Sequence, residues 1–310
     1  MRWTCLLLLA FAAPVVRAND GFVHVLGGDG PPVRPLHLVA ERPLRDLLPR
    51  QGRRFEASGV VLRGKWLYVA FDDTTDVARV RPDLSEAEWI ETEGRGGGYE
   101  GITWSAEEDR FYCVVEALRR QGGYRALIAT YDRRFNLLEE AWLDVPLAGA
   151  NKGIEGLAAV HRDGEVHLLA LHEGHPDDAA GDGAVRGRIE VYRARRSGGW
   201  KHVETIKLPK HVRFADWSGL DVRGDRVVVC SQQSSALWEG RLAPDAWKFV
   251  GPGQVYLFPR DADGQPRYPT VEGVTLLDAG RVAVVTDLDR GETARLDRSI
   301  HIFALRAGAE

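Results

Sequence analysis

One short phrase recurs five times along the chain, and its recurrence limits the folds that the sequence can adopt. The phrase is Glu or Ser, then Gly, then a branched apolar residue, and its copies begin at Ser58, Glu100, Glu155, Ser218 and Glu272. Successive copies are separated by 42 residues at the least, from Gly59 to Gly101, and by 63 at the most, from Gly156 to Gly219. A repeat of this length indicates an array of similar supersecondary units.

Each repeat reads as a series of short strands. A second apolar run follows every phrase, and these runs cover residues 66–71, 111–115, 166–171, 227–230 and 282–285. Their length and their β-branched and aromatic content are typical of strands. The connections at Asp163-Gly164 and Arg223-Gly224-Asp225 carry the Gly and Asp that tight hairpin turns need. Further strand candidates lie at residues 126–131, 188–192 and 300–305.

About four strands per unit, repeated around five times, predict an all-β, five-bladed β-propeller of four-stranded antiparallel blades. The blades are expected to start near residues 58, 100, 155, 218 and 272, within one domain of residues 19–310. Strand candidates near Val23 and Leu38 leave two possibilities: one of them closes the ring on the last blade, or they belong to a sixth blade. A two-sheet sandwich would not explain one phrase at blade-sized intervals.

The N-terminus resembles an export signal. Arg2 is followed by an apolar run through Val16, and Val16-Arg17-Ala18 offers small residues at the −3 and −1 positions. The pattern predicts a signal peptide of residues 1–18 and a secreted or periplasmic protein. An N-terminal membrane anchor is the alternative. No later segment approaches the roughly twenty apolar residues of a membrane span, so no membrane association is expected after cleavage.

Charge and cysteine content narrow the choice of partners. The formal net charge is −4 at pH 7, and it becomes −6 without Arg2 and Arg17. No basic block occurs, so nucleic acid is not expected as a partner, whereas a small-molecule or anionic substrate is possible. We expect a monomer. Cys113 and Cys230 lie in apolar runs of different repeats, which favours buried free thiols, although an exported protein could also form a disulfide.

Acidic residues are expected to gather on one face. The first strand of a blade lines the central channel and the second runs antiparallel to it, so the start of the first and the end of the second share a face. Glu100, Glu155 and Glu272 should therefore lie at the channel mouth. The second runs end in acids or an amide, namely Asp72 and Asp73, Glu116, Glu173, Gln232 and Asp287.

Carboxylates that converge repel one another, and they either take up protons or bind a cation. Oxygen ligands favour a hard ion, and Ca²⁺ tolerates irregular cages of about six to eight oxygens. The candidate metal ligands are Glu100, Glu155, Glu272 and Asp72, and Ca²⁺ is the expected cofactor. The alternative is that a glutamate before Gly only forms a hydrogen bond with the backbone of a neighbouring blade.

The candidate catalytic residues are Glu116, Glu173, Asp287 and His172. One of the carboxylates could act as a base toward water. Lys152 and Arg186 could pair with an anionic substrate.

Two long loops, at residues 173–187 and 287–299, are expected on the same face, where function is commonly found. The first contains Asp177, Asp178 and Asp182. The His172-Glu173-Gly174-His175 sequence at its start is not the helical His-Glu-x-x-His zinc motif, because its second His comes one residue too early.

The repeated phrases resemble those of a known group. The phrases are Tyr99-Glu100-Gly101-Ile102, Ile154-Glu155-Gly156-Leu157, Trp217-Ser218-Gly219-Leu220-Asp221 and Val271-Glu272-Gly273-Val274. They look like the SdiA-regulated and esterase-like-phytase families of secreted β-propellers, over about residues 55–305. A more distant similarity is to paraoxonase- and gluconolactonase-type calcium propellers and to calcium-activated nucleotidases.

The resemblance implies a propeller with a central Ca²⁺ site, and it does not specify a reaction. The leading hypothesis is a Ca²⁺-dependent hydrolase of an ester, lactone or phosphoester. The alternative is a non-catalytic propeller that binds a ligand or a protein.

Overall fold

The computed structural model describes residues 33–49, 54–120, 122–147, 153–172, 186–195, 198–287 and 298–306. Within these residues, twenty-one strands and one short helix are found, and the strands form five small sheets. The sheets are antiparallel apart from one added parallel strand. Their first strands contact one another in cyclic order, so the sheets are the blades of a closed ring. The predicted five-bladed β-propeller is confirmed, and the sandwich is excluded.

The N-terminal elements are β1 (Arg34–Pro35), β2 (His37–Pro43) and α1 (Leu44–Leu47). Blade 1 contains β3 (Ala57–Arg63), β4 (Trp66–Phe71), β5 (Thr74–Val80) and β6 (Ala87–Ile90). Blade 2 contains β7 (Gly101–Ser105), β8 (Arg110–Arg120), β9 (Gly123–Asp132) and β10 (Leu137–Trp142). Blade 3 contains β11 (Ile154–Arg162), β12 (Glu165–His172), β13 (Arg188–Ala194) and β14 (Trp200–Lys207).

Blade 4 contains β15 (Gly219–Arg223), β16 (Arg226–Ser231), β17 (Ala236–Arg241) and β18 (Gln254–Leu257). Blade 5 contains β19 (Val271–Leu276), β20 (Arg281–Thr286) and β21 (Ser299–Ala304).

The N-terminal segment completes the ring. Strand β2 pairs antiparallel with β21 and becomes the outermost strand of blade 5, as expected for the candidate near Leu38. Strand β1 adds to β18 in parallel, as a fifth strand of blade 4. Because these strands are absorbed by existing blades, the six-bladed alternative is wrong. The candidate near Val23 lies outside the described residues.

The five phrase glycines meet at the propeller axis, where each packs against the next blade. Their φ values lie outside the left-handed region, so space rather than backbone conformation requires Gly. A Cβ on Gly59 would lie 2.9 Å from the Cα of Gly101, and a Cβ on Gly273 would lie 2.8 Å from the Cα of Gly59. The glycine ring encloses a void of only about 10 Å³, which holds at most one water molecule. The channel is therefore closed at this level.

Replacing ring glycines with alanine should destabilise the protein in proportion to the clash. A Cβ on Gly156 would lie 2.7 Å from the backbone nitrogen of Leu220, whereas on Gly101 the nearest atom would be 3.2 Å away. We expect Gly156→Ala to cost about 2 kcal/mol or more and Gly101→Ala clearly less, because overpacking typically costs about 1–3 kcal/mol. Chemical denaturation of both variants measures the difference. Equal costs would contradict this account of the axis.

Polar side chains just past the glycine ring join neighbouring blades. Thr103 Oγ1 accepts a hydrogen bond from the amide of Ala159 at 2.9 Å, and Thr275 Oγ1 accepts one from the amide of Leu62 at 3.2 Å. Asp221, two residues after its glycine like both threonines, plays the same role between blades 4 and 5. Three of the five blade junctions thus carry a side-chain bond at one repeat position.

The cysteine expectation is confirmed, because Cys113 and Cys230 are both buried free thiols in separate blades. The predicted signal peptide lies outside the described residues. Over the ranges that the structure describes, no helix is long and apolar enough to cross a membrane.

Candidate functional site

The residue before each ring glycine sits at a break in the strand ladder. In three blades the register skips this residue, which is Ser58, Glu155 or Glu272. In blade 2 the amide of Glu100 bonds to the carbonyl oxygen of Val114 at 2.8 Å, although Val114 is already the partner of Gly101. Two residues opposing one is a β-bulge, and bulges re-aim side chains beside functional sites.

The two serines at this position hold blades together. Ser58 Oγ donates to the carbonyl oxygen of Tyr99 in the next blade. Ser218 Oγ donates to the carbonyl oxygen of Val271, also in the next blade, at 2.7 Å. At the two serines, the residue before the ring glycine therefore has the purely structural role considered above, a hydrogen bond to the backbone of the neighbouring blade.

The glutamate copies belong to a group of carboxylates. Burial raises the pKa of Glu272 well above its ordinary value. Four further carboxylates raise it in the same direction, and in decreasing order they belong to Asp216, Asp287, Glu100 and Asp72. The carboxylates of Glu100, Asp72 and Asp287 are therefore close enough to Glu272 to interact with it electrostatically. Glu155 lies beside the axis, where it lines the void inside the glycine ring.

Asp72 is the centre of a tighter subset at the blade 1 side. One carboxylate oxygen from each of Glu56, Asp72 and Asp73 lies within 4.8 Å of the others. Burial raises the pKa of Asp72 to about 7, and the charges of Asp287, Glu56 and Asp73 contribute. The Oδ1 atoms of Asp72 and Asp73 are buried and accept no hydrogen bond within the described structure. Buried carboxylate oxygens without donors fit a bound cation.

The raised pKa of Asp72 links this group to folding. The folded protein keeps a proton that the unfolded chain releases above pH 3.8, so without a cation this group costs stability as the pH rises toward 7. A cation that binds the ionised group would offset that cost.

Basic side chains flank the group on the same side. Arg54 Nη1 is 3.6 Å from Glu56 Oε1, and Arg298 Nη2 is 4.0 Å from the same atom. The Arg54 side chain is 71 % exposed, so it lies at the edge of the carboxylate group rather than inside it. The sequence-predicted Arg186 is also exposed.

The candidate catalytic residues occupy different environments. Asp287 follows β20, and its backbone is fixed by two bonds with Thr270: its amide donates to the Thr270 carbonyl at 3.0 Å, and Thr270 Oγ1 donates to its carbonyl at 2.8 Å. His172 ends β12 and is only 2 % exposed. Glu116 lies in β8, but its side chain is not described. Glu173 and Lys152 lie outside the described residues.

Sequence reasoning missed Glu56 and Asp216. Asp216 is 6 % exposed, accepts a hydrogen bond from Ser231 Oγ at 2.5 Å, and accepts one from the amide of Gln233 at 3.1 Å. Both missed acids stand three residues before a ring glycine, Glu56 before Gly59 and Asp216 before Gly219. Aligning the repeats on glycine and comparing that position could have found them.

Searches against protein-family models and against curated proteins gave no match. Solved structures with a similar fold include glutaminyl cyclase from Myxococcus xanthus, at 13% identity over 89% of this chain and 100% of that chain, with a TM-score of 0.51. Another is the GH43_1 enzyme from Xanthomonas citri complexed with xylose, at 13% identity over 88% and 92% of the two chains, with a TM-score of 0.52. RS223 β-xylosidase matches at 11% identity over 86% and 95%, with a TM-score of 0.50. At such identities the likeness shows a shared propeller fold alone.

Proposed function

We propose that this propeller binds Ca²⁺ at its acidic mouth and hydrolyses an ester, lactone or phosphoester there. The observation that carries the proposal is that Glu100, Asp72 and further carboxylates lie close enough to Glu272 to raise its pKa. Convergent carboxylates are unfavourable unless protons or a cation neutralise them. The resemblance to secreted SdiA-regulated and esterase-like-phytase propellers supports a central Ca²⁺ site, and the reaction is a hypothesis for the assay below.

The donor set suits Ca²⁺. Its members are oxygen-only, they come from several blades, and an irregular cage of this kind is acceptable to Ca²⁺. Asp72, Glu100 and Glu272 would be the principal ligands, with Glu155 as the fourth candidate on the axis. The buried, donor-free Oδ1 atom of Asp73 offers one more oxygen. A secreted or periplasmic location would give the site access to external Ca²⁺.

A bound metal ion would supply one part of the chemistry, and residues of the chain would supply three others. A bound Ca²⁺ would polarise the substrate oxygen and stabilise developing negative charge. Asp287, whose backbone is held by Thr270, would be the carboxylate that takes a proton from water. Among the described residues, the glycine ring closes the channel, so substrate and water would enter from the mouth. Exposed Arg54 at the rim would attract an anionic substrate.

A non-catalytic ligand-binding propeller is the second candidate. The burial of His172 favours it, because a 2 % exposed imidazole at a strand end is poorly placed to meet a substrate. In that case the same cation would only stabilise the mouth.

Hydrolysis is tested by assaying purified protein against p-nitrophenyl esters, phosphodiesters and lactones, with Ca²⁺ and with EDTA. We expect activity on one class that EDTA abolishes and Ca²⁺ restores. Asp287→Asn should lower kcat by about 10²-fold or more, the usual contribution of general base catalysis. Asp163→Asn, in the exposed turn between β11 and β12 at the opposite end of the first strands, is the control. Ca²⁺ binding without activity on any class would support the non-catalytic candidate.

A further inference from the structure

A fully buried histidine sits where the N-terminal strand closes the ring. His301 on β21 has 0 % exposure, and Glu41 on β2 is its direct cross-strand partner. The Nδ1 atom of His301 is 3.4 Å from Glu41 Oε2, and Nε2 is 3.3 Å from Thr286 Oγ1 on β20. The imidazole therefore spans three strands of blade 5, and one of them is the closing strand.

The segment before β19 completes the surroundings of His301. The hydroxyl of Tyr268 donates to Glu41 Oε2 at 2.8 Å, and Arg267 Nη2 is 3.8 Å from Glu41 Oε1. The Tyr268 ring also packs edge-on against the imidazole, with ring centroids 4.6 Å apart. The titratable groups that face His301 are thus Glu41 on β2 and Arg267 and Tyr268 on this segment. Glu41 is the group through which β2 joins the network.

Strand β2, which closes the ring, is followed by helix α1, which packs between blades 5 and 1. Helix α1 follows β2 directly, and its Leu44 and Leu47 pack in one apolar cluster with Val69 of blade 1 and Ile302 of blade 5. Asp72 and Asp287, which follow strands of these same two blades, are close enough to interact electrostatically. Detachment of β2 would therefore loosen the seam that supports one side of the carboxylate group.

We propose that His301 and Glu41 form an acid-sensitive latch, which holds β2 on blade 5 near neutral pH and releases it when His301 is protonated. The inference is independent of the proposed hydrolytic function, since it concerns residues outside the mouth.

The sign follows from the surroundings of the imidazole. Burial lowers the pKa of His301 below its usual 6.5, the contact with Glu41 opposes this shift, and Arg267 adds to it. Detachment of β2 removes one wall of the site and gives the imidazole access to water. The form with β2 detached then binds a proton at His301 more readily than the form with β2 in place. The form with β2 in place therefore loses stability relative to the detached form as the pH falls below 6.5. The pKa of Glu41 is lowered chiefly by its contact with His301. Protonation of Glu41 in stronger acid would therefore also weaken the contact between Glu41 and His301.

The test is hydrogen exchange of the intact protein, followed by mass spectrometry at pH 7, 6 and 5 and corrected for the intrinsic pH dependence of exchange. Uptake of one proton on opening predicts that protection of β2 falls below pH 6.5, by at most about tenfold per pH unit. Protection of β4 in blade 1, which has no histidine, serves as the internal reference. Constant β2 protection, or an equal fall in β2 and β4, would overturn the latch.

Two matched variants isolate the imidazole responsible. His301→Gln should make β2 protection independent of pH over this range, because glutamine does not titrate. His37→Gln changes an exposed histidine of the same strand and should keep the wild-type pH dependence. If His37→Gln abolishes the dependence, the assignment to His301 is wrong. Should His301→Gln fail to fold, the wild-type profile and the His37→Gln profile still decide the question.

Discussion

Calcium is expected to raise the melting temperature of this protein by about 5 °C or more relative to the protein in EGTA. A ligand at a hundred times its dissociation constant adds about 2.7 kcal/mol to the folded state. One kcal/mol corresponds to about 2–4 °C for domains of about 150–250 residues, and to slightly less in larger ones. The shift should be larger at pH 8 than at pH 5.5, because protons compete with the cation at Asp72, whose pKa is raised to about 7.

Variants of the mouth separate ligands from bystanders. Asp72→Asn and Glu155→Gln keep shape and hydrogen-bonding capacity but remove one charge each, so both should shrink the calcium-dependent shift. Glu139→Gln, on the exposed outer strand β10, should shift as much as the wild type. If Glu155→Gln shifts fully while Asp72→Asn does not, the cation lies on the blade 1 side and Glu155 has only a structural role. Equal shifts in all three variants would remove the basis for the carboxylate site.

Replacing Asp221 with alanine should be the most destabilising single change at a blade junction. Its Oδ2 accepts hydrogen bonds from Thr275 Oγ1 and from the amide of Leu276, both at 2.8 Å and both in the next blade. Its Oδ1 accepts one from the amide of Val222 at 2.9 Å. Alanine leaves these buried donors without a partner, so we expect a loss of about 2–4 kcal/mol in urea denaturation.

Asparagine at the same position distinguishes hydrogen bonding from charge. Burial raises the pKa of Asp221 above its ordinary value, so the site does not favour the charge itself. Asp221→Asn, which keeps an acceptor oxygen, should therefore cost clearly less than Asp221→Ala. Asp225→Ala breaks an exposed ion pair with Arg241 and should cost at most about 1 kcal/mol. Equal losses for Asp221→Asn and Asp221→Ala would mean that the carboxylate charge matters.

Most of the candidate site was predictable because it is a repeat. The phrase position predicted Glu100 and Glu272 at the mouth, and the ends of the second runs predicted Asp72 and Asp287. The same logic did not reach Glu56 or Asp216, whose position is acidic in only two of the five repeats. A polar residue that recurs weakly is hidden in one sequence until the blades are superimposed.

The residue before the ring glycine has two different roles, and the local sequence pattern could not distinguish them. Ser58 and Ser218 occupy the same place as the glutamates, and in the structure they donate to the backbone of the next blade. Glu272 instead lies among carboxylates. The difference depends on which groups face each side chain from neighbouring blades, and these groups are far away in the sequence.

By itself, the sequence determined the all-β class, the repeat boundaries and the face that carries the acids, because strand periodicity and turn residues act over a few neighbouring positions. The tertiary structure decided the number of blades, since only the pairing of β2 with β21 shows that the N-terminal segment completes blade 5. The tertiary structure also explains why the phrase contains glycine. At the axis the backbones of adjacent blades approach so closely that no space remains for a Cβ atom. Both outcomes depend on ring closure, which joins residues more than two hundred and fifty positions apart and leaves no local signal.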